Sequence, residues 1–526
     1  MKNIFGIALL CALLQSGIAH GQQFLRTELP VTLNLPWEIQ YGPDGFLWLS
    51  ENGGIVSRVD PVAGTKTIVY TASDYYGGSP LEQNPVCAQF EIGAGTFGLA
   101  LDPDFANQTL TYIYYVYSYN HGTDTVPMTR YKIARLTWDQ SQSLVIADTT
   151  IVDSLSNGYD HFGGRLLAIK RNGINYLYYS AGDNGISEDN APSCYQPQSS
   201  NPNNFSQDPY TLNGKIHRFL TDGSIPIDNP IPGNSFYTRG HRNPQGLIYN
   251  VGADVLYDVE HGDRTDDEIN ILYAGMNYGW KTVRGYHGDS NYPGEDSIIA
   301  NYQPHPMIAG DSLIQALYSW CDTTQPPATP VAPATWCAVA PSDGVHYSST
   351  VIPEMTNSLL VTTLKNGNSV THEVYCFHLS ADGKTILPST PSNPNPVKYF
   401  EADEALNGRL RDIAISPDSS KIYLINNGGT TADKIIVYSL MNVSTEENNV
   451  LSAKIHLYPI PADQELQIKT DLSISKVTLM NCTGQTLRTE ETLPTSIEVH
   501  HLIPGIYILR FETKEGRTIY KKAIVQ

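Results

Sequence analysis

One pattern returns along most of the chain: an apolar strand, a turn of Pro, Asp, Asn or Gly, then a second strand rich in aromatics. WEIQYGPDGFLWLS begins at Trp37, FGLALDPDFANQTLTYIYYVY at Phe97 and GRLLAIKRNGINYLYYSAGD at Gly164. NPQGLIYNVGADVLYDVEHG begins at Asn243, a degenerate copy VHYSSTVIPEMTNSLLVTTL at Val345, and RDIAISPDSSKIYLINNG at Arg411. A spacing of roughly 60 to 100 residues leaves room for a four-stranded blade with long loops, so six copies predict a six-bladed β-propeller. A β-sandwich with similar hairpins is the alternative, since it needs no fixed copy number. Both are all-β, as 42 Gly, 34 Pro and 33 Tyr with only 16% charged residues also imply.

The two ends read differently. Lys2, the apolar run Ile4 to Leu14 and the small residues Ala19 and Gly21 make residues 1–21 an export signal. That run is too short to span a bilayer, and no later segment is apolar enough, so no membrane span is expected. The propeller is expected over 22–440. Met441 to Val450 is polar and aperiodic, a linker, and 451–526 alternates through KVTLMN and GIYILRFE as a small β-sandwich. Export favours disulfides: of seven cysteines Cys11 falls in the signal, Cys321 with Cys337 is the first expected pair and Cys87 with Cys194 the second. A formal net charge of -20 repels polyanions and excludes nucleic acid as a partner.

Four segments carry chemistry. YDHFGGRL sets His161 just before a strand, with Asp160 beside it. A loop histidine is usually solvated, but imidazole is also the side chain best suited to act as a base near neutrality. RGHRNPQGL presents Arg242 and Asn243 ahead of another strand, where a guanidinium either forms a structural ion pair or offers planar donors to a reacting oxygen. EHGDRTDDEIN combines Gly262 with Asp263, Asp266, Asp267 and Glu268, oxygen donors that suit calcium, although the spacing is not that of an EF-hand and a solvated acidic loop is the bland reading. Lys365, Arg409 and Arg411 stand out in an acidic chain; the two arginines, two apart, are expected to share one face of a strand. Converging cations would receive a compact polyanion.

The segments PWEIQYGPDGFLWL, GTFGLALDPDF, DHFGGRL, GDNG, LNGKIHRFLTDGSIPIDNP, GHRNPQGL, HGDRTDDEINIL, NYGW, TWCAVAPS, LKNG and GRLRDI, in this order between about Leu35 and Tyr438, resemble the soluble pyrroloquinoline-quinone-dependent glucose and aldose dehydrogenases. The resemblance implies a six-bladed propeller carrying pyrroloquinoline quinone (PQQ) and calcium, which oxidises an aldose to its lactone and passes electrons to an external acceptor. It implies that His161 is the catalytic base and that Asp160, Arg242, Asn243, Trp336, Lys365, Arg409 and Arg411 surround the cofactor. It also implies calcium on the carbonyls of Gly262 and Asp263, with a structural calcium on Glu268 and the carbonyl of Tyr278. Three positions depart from the family: Gly93 for Gln, Asp263 for Pro and Ala338 for Thr. The alternatives are a binding-only extracellular propeller and a calcium-dependent lactonase, which needs no Lys and Arg cluster. A homodimer is compatible with the sequence.

The tail resembles the sorting domain of type IX secretion substrates through YPIPADQELQIK, NCTGQ, LIPGIYILR and the closing KKAIV, with Ile460 where the family usually has Asn. That implies release outside the cell or onto its surface, after transit through the periplasm, by way of the type IX machinery.

Overall fold

The computed structural model describes residues 24–526 except 79–92, 124–127, 159, 186–203, 264, 289–293, 321–337, 366–372, 391–393, 429–431, 441–450, 482–485 and 515–517. The expected signal, the linker, Trp336 and both expected cysteine pairs therefore lie outside the described residues. The chain forms two compact units, one of Thr27–Val351 with Met355–Val437, the other mainly Tyr438–Gln526.

The larger unit is built on six four-stranded antiparallel sheets. Their innermost strands are Pro36–Tyr41, Thr96–Leu101, Gly163–Arg171, Pro244–Asn250, Pro341–Tyr347 and Leu410–Ile415. Each packs on the next and the last on the first, which closes a six-bladed β-propeller. Five blades take their strands in chain order; the sixth takes its outer strand, Phe24–Glu28, from the other end of the sequence. Because each sheet is covered on both faces by its neighbours, the second strands are buried along their length, as in Leu47–Glu51 and Val255–Glu260. Aromatic side chains fill the space between blades: Trp48 meets Trp138 edge-on at 4.9 Å, and Trp320 meets Tyr375 at 5.6 Å.

Every innermost strand shifts register near its start, between Pro36 and Glu38, Thr96 and Leu99, Gly163 and Leu166, Pro244 and Gly246, Pro341 and Asp343, and Leu410 and Asp412. An extra residue at such a point bends the strand and re-aims its side chain. Arg165 is turned into the centre of the ring in this way. Its Nη1 lies 2.5 Å from Glu38, 3.1 Å from Asp343 and 3.4 Å from Asp412, its Nε donates to the carbonyl of Gln245 and its Nη2 to that of Ser342. One buried guanidinium thus ties five blades together. Three carboxyls around one cation do not all ionise: burial lifts Glu38 to about 8 against the pull of Arg165, with Asp412 adding to the rise.

The smaller unit is a β-sandwich. A three-stranded sheet of Ile455–Tyr458, Glu465–Thr470 and Ser496–Glu498 accompanies a four-stranded one of Thr486–Glu490, Ile474–Asn481, Gly505–Thr513 and Thr518–Val525. They share a core that includes Leu466, Val477, Leu509 and Phe511. Among the described residues no helix is long and apolar enough to cross a membrane.

Candidate active site

Antiparallel pairing puts the starts of the innermost strands and the ends of the second strands on one face of the propeller. His161 sits there just before Gly163–Arg171, with φ 57 and 6% of its surface exposed. A Cβ at Gly182 would lie 1.9 Å from the His161 carbonyl oxygen, so the close approach of these two loops requires glycine. The backbone N of His161 donates to Asp160, while Nδ1 lies 2.7 Å from Asp183 Oδ1 and Nε2 3.7 Å from Asp160 Oδ2.

Asp183 is itself fixed. It accepts hydrogen bonds from the Trp280 indole at 2.8 Å, from Asn204 Nδ2 at 2.9 Å and from the amide of Gly185 at 3.0 Å. Burial works to raise its pKa, but His161, Arg242 and the Gly185 amide outweigh it and hold the carboxyl below its ordinary value. An ionised Asp183 at Nδ1 selects the tautomer whose Nε2 is free to take a proton.

Arg242 and Asn243 stand beside this pair. The Arg242 amide donates to Glu260 Oε2, its Nη1 to the carbonyl of His261, and its guanidinium lies 5.4 Å from the Trp280 ring. Asn243 Oδ1 accepts from the amide of Gly163 and from Gln245, and its Nδ2 donates to His261 Nδ1. His261 shows how the cations converge. Burial, followed by Arg242, Arg411, His161 and Lys365, drives its pKa well below the usual value, so it is a neutral imidazole in a positive field. Arg411 stacks on Trp37 at 4.2 Å and donates to Gln245 Oε1; burial and then Arg409 push its pKa down. Burial also lowers Arg409, and lowers Lys365 against the pull of Asp267. Arg409 precedes the strand and Arg411 occupies its bulge, so they meet through the bulge and not through strand alternation.

Gly262 with Asp263, and Glu268 with Tyr278, were expected to serve two separate calcium ions, but all four line one small cavity of about 10 Å³, together with Glu260, Asp266 and the cations Arg242 and Arg284. That is room for one water-sized guest. A Cβ at Gly262 would meet the Thr265 carbonyl at 2.1 Å, and the Gly262 amide is held by Asp267 Oδ1. Glu268 Oε1 accepts from the amide of Gly285, and burial with Glu260 nearby raises Glu268 well above the ordinary range. Buried carboxyls around a hole of this size fit a hard cation.

Residues 33–436 match the family described as Glucose / Sorbosone dehydrogenase. The chain belongs to that family. This dehydrogenase chain is 27% identical over 447 residues to quinoprotein glucose dehydrogenase B of Acinetobacter calcoaceticus, covering 79% of itself and 88% of that protein. It is 27% identical to aldose sugar dehydrogenase YliI of Escherichia coli K12, covering 79% of itself and 99% of the relative. Its fold is that of the PQQ-bound aldose sugar dehydrogenase of Streptomyces coelicolor, with a TM-score of 0.53 at 22% identity over 80% of this chain and 98% of the other. Residues 456–526 match a secretion system C-terminal sorting domain.

Two of the three departures have a structural setting. At Gly93 a Cβ would lie 1.9 Å from the Phe162 ring, so the phenyl group next to His161 takes the place of a side chain there. Asp263 faces Arg242 at 3.8 Å and Arg284 at 3.5 Å, so its carboxylate is neutralised at the cavity mouth. Ala338 is buried and nothing in the structure explains it. Sequence reasoning gave no separate role to Asp183, Trp280 or His261. Their signal lay in the segments GDNG, NYGW and EHG, each directly after a strand or a turn at this face.

Proposed function

We propose that the protein is a quinoprotein sugar dehydrogenase that oxidises an aldose at its anomeric carbon to the lactone, with PQQ as hydride acceptor and calcium beside it. The observation that carries this reading is the meeting of a His161 and Asp183 pair with the cations Arg242, Lys365, Arg409 and Arg411 on one face of the propeller. The residues fit a compact tricarboxylate. Arg242 Nε and Arg409 Nε are buried without a hydrogen-bond partner among the described residues, and burial depresses the pKa of Lys365, Arg409 and Arg411, which an anion would restore. The cavity at Gly262, Asp263, Glu268 and Tyr278 fits calcium through its carboxylates and carbonyls.

When bound, the calcium-polarised quinone supplies an electrophile for hydride. The chain's own residues do the rest. Nε2 of His161 takes the proton of the anomeric hydroxyl, and Asp183 steadies the imidazolium that forms. Arg242 offsets negative charge on oxygen as the C–H bond breaks, and Asp160 and Asn243 border the same space. Proton and hydride leave together from one carbinol, so the sugar becomes a lactone and the electrons pass on to an external acceptor. Trp336 is assigned to the cofactor by resemblance alone. On this reading residues 1–21 are a signal, 22–440 the enzyme and 451–526 the passenger tag for type IX secretion, which carries the protein through the periplasm to the outside.

Binding tests the assignment before any turnover. The apo protein should take up PQQ only with calcium present, and Arg409→Ala with Arg411→Ala should weaken uptake by about two orders of magnitude or more, since each charged hydrogen bond contributes roughly 1.5 to 3 kcal/mol. Unchanged affinity in the double variant would remove the cofactor assignment.

A further inference from the structure

Behind the calcium cavity a second polar cluster is buried more deeply. Strands Val255–Glu260 and Asp267–Ile271 pair with Asp258 opposite Asn270 and Glu260 opposite Glu268. Residues two apart on a strand point the same way, so these four side chains share one face of the sheet. Glu260 directly opposite Glu268 is a like-charge pair, which repels unless something positive lies between them. Asp258 adds a third carboxyl and is fully buried, at 0% exposure.

Among the described residues neither oxygen of Asp258 has a partner within hydrogen-bonding geometry, and neither has Oδ1 of Asn270; the Asn270 amide lies close enough to Asp258 to act on its charge but is not aimed at it. The nearby amide is already committed: Asn270 Nδ2 donates to Glu260 Oε1 and to Glu268 Oε2, both at 3.0 Å. His241 closes the cluster. Its Nδ1 lies 3.2 Å from Glu260 Oε1 and 3.5 Å from Asp258 Oδ2, and its single N–H there satisfies at most the nearer oxygen. Arg242, the adjacent cation, turns its guanidinium towards His261 and Asp263 instead.

We propose that His241, Asp258 and Glu260 bind a divalent first-row transition ion, with Asn270 Oδ1 as a further donor. Ligand atoms of the three side chains lie within 4.8 Å of one another. The two measured separations bracket the edge of about 3.3 Å of a tetrahedron with metal–ligand bonds of about 2.05 Å. One imidazole with oxygen donors suits such an ion better than calcium, which favours oxygen alone. His241 Nε2, 2.9 Å from Thr238 Oγ1, can donate to that hydroxyl once Nδ1 holds a metal, and the ring stacks on Tyr278 at 4.7 Å, so its orientation is set from both sides. Asp258 and His241 do not line the calcium cavity, which this site meets at Glu260 alone, and the site does not depend on sugar oxidation.

The competing arrangement is a protonated Asp258 whose hydroxyl donates to Asn270 Oδ1. Zinc distinguishes the two. Full-length protein stripped with a chelator and then saturated with calcium should bind one further zinc per chain by calorimetry and elemental analysis. Asp258→Asn and His241→Gln should each weaken that binding roughly 100-fold or more while the circular dichroism spectrum is kept. Zinc uptake equal in wild type and variants, or none in wild type together with an infrared carboxylic-acid band that Asp258→Asn removes, would overturn the proposal. If either variant misfolds, X-ray absorption of zinc-loaded wild type decides: an oxygen shell with one imidazole supports the site, and a shell without imidazole overturns it.

Discussion

In the proposed reaction, proton transfer rests on a contact between residues 22 positions apart, His161 Nδ1 to Asp183 Oδ1. His161→Ala should leave PQQ binding intact and lower turnover by about 100- to 10,000-fold, the usual contribution of a placed general base. Asp183→Asn tests positioning: with the carboxylate gone the imidazole is free to take the other tautomer, so kcat should fall while KM changes little, and the acid limb of the pH profile should move. Wild-type turnover in either variant would place the base elsewhere. His161 was legible in the sequence because a histidine flanked by Asp160 and two glycines is unusual just before a strand. Asp183 was not, because its role comes from Gly182 letting two loops touch and from Trp280, 97 residues away, gripping its other oxygen. His261 was hidden for a related reason: a neutral imidazole among cations is a product of burial, which local sequence does not display.

Among the elements, the innermost strands close the ring, and a bulge in the third turns one side chain, Arg165, into its centre. Arg165→Met should cost about 3 to 5 kcal/mol, because it leaves the buried carboxyls of Glu38, Asp343 and Asp412 without the cation they share; chemical denaturation would show it. The same cluster predicts a pH effect. Glu38 keeps its proton to about 8 in the folded protein and loses it near 4.5 when unfolded, so between these values the folded state holds the extra proton and stability falls as pH rises. Glu38→Gln should flatten that slope, and an unchanged slope would assign it to another group. Strand and turn patterns located five of the six blades to within a residue or so of their first strands. The fifth begins at Pro341, four residues before the expected Val345, because Pro-Ser-Asp-Gly reads as a turn until Arg165 is there to receive Asp343. The closing strand Phe24–Glu28 carries no paired hairpin of its own, so its place in the sixth sheet was not visible either.

At the scale of the whole molecule, two units with separate cores match two families, a sugar dehydrogenase and a secretion sorting domain. Deleting Ser452 to Gln526 should leave a folded, quinone-binding propeller that is retained in the periplasm, and its normal appearance outside the cell would refute the sorting role. The net charge of -20 leaves a neutral sugar unaffected, and on the proposed reading the local cations would hold an anion, so the long-range field and the site do not conflict. The fold and the family were readable from ordered segments spread over the chain, whereas the small cavity at Glu268 and the cluster at Asp258 exist only once two strands are paired in register. Hydride transfer from an anomeric carbon is tested most directly by single-turnover reduction of PQQ on the calcium-loaded protein. An aldose deuterated at the anomeric carbon should reduce the quinone several-fold more slowly than the protiated sugar and yield the lactone. Equal rates for the two sugars with chemistry limiting, or no quinone reduction by any aldose, would contradict the account.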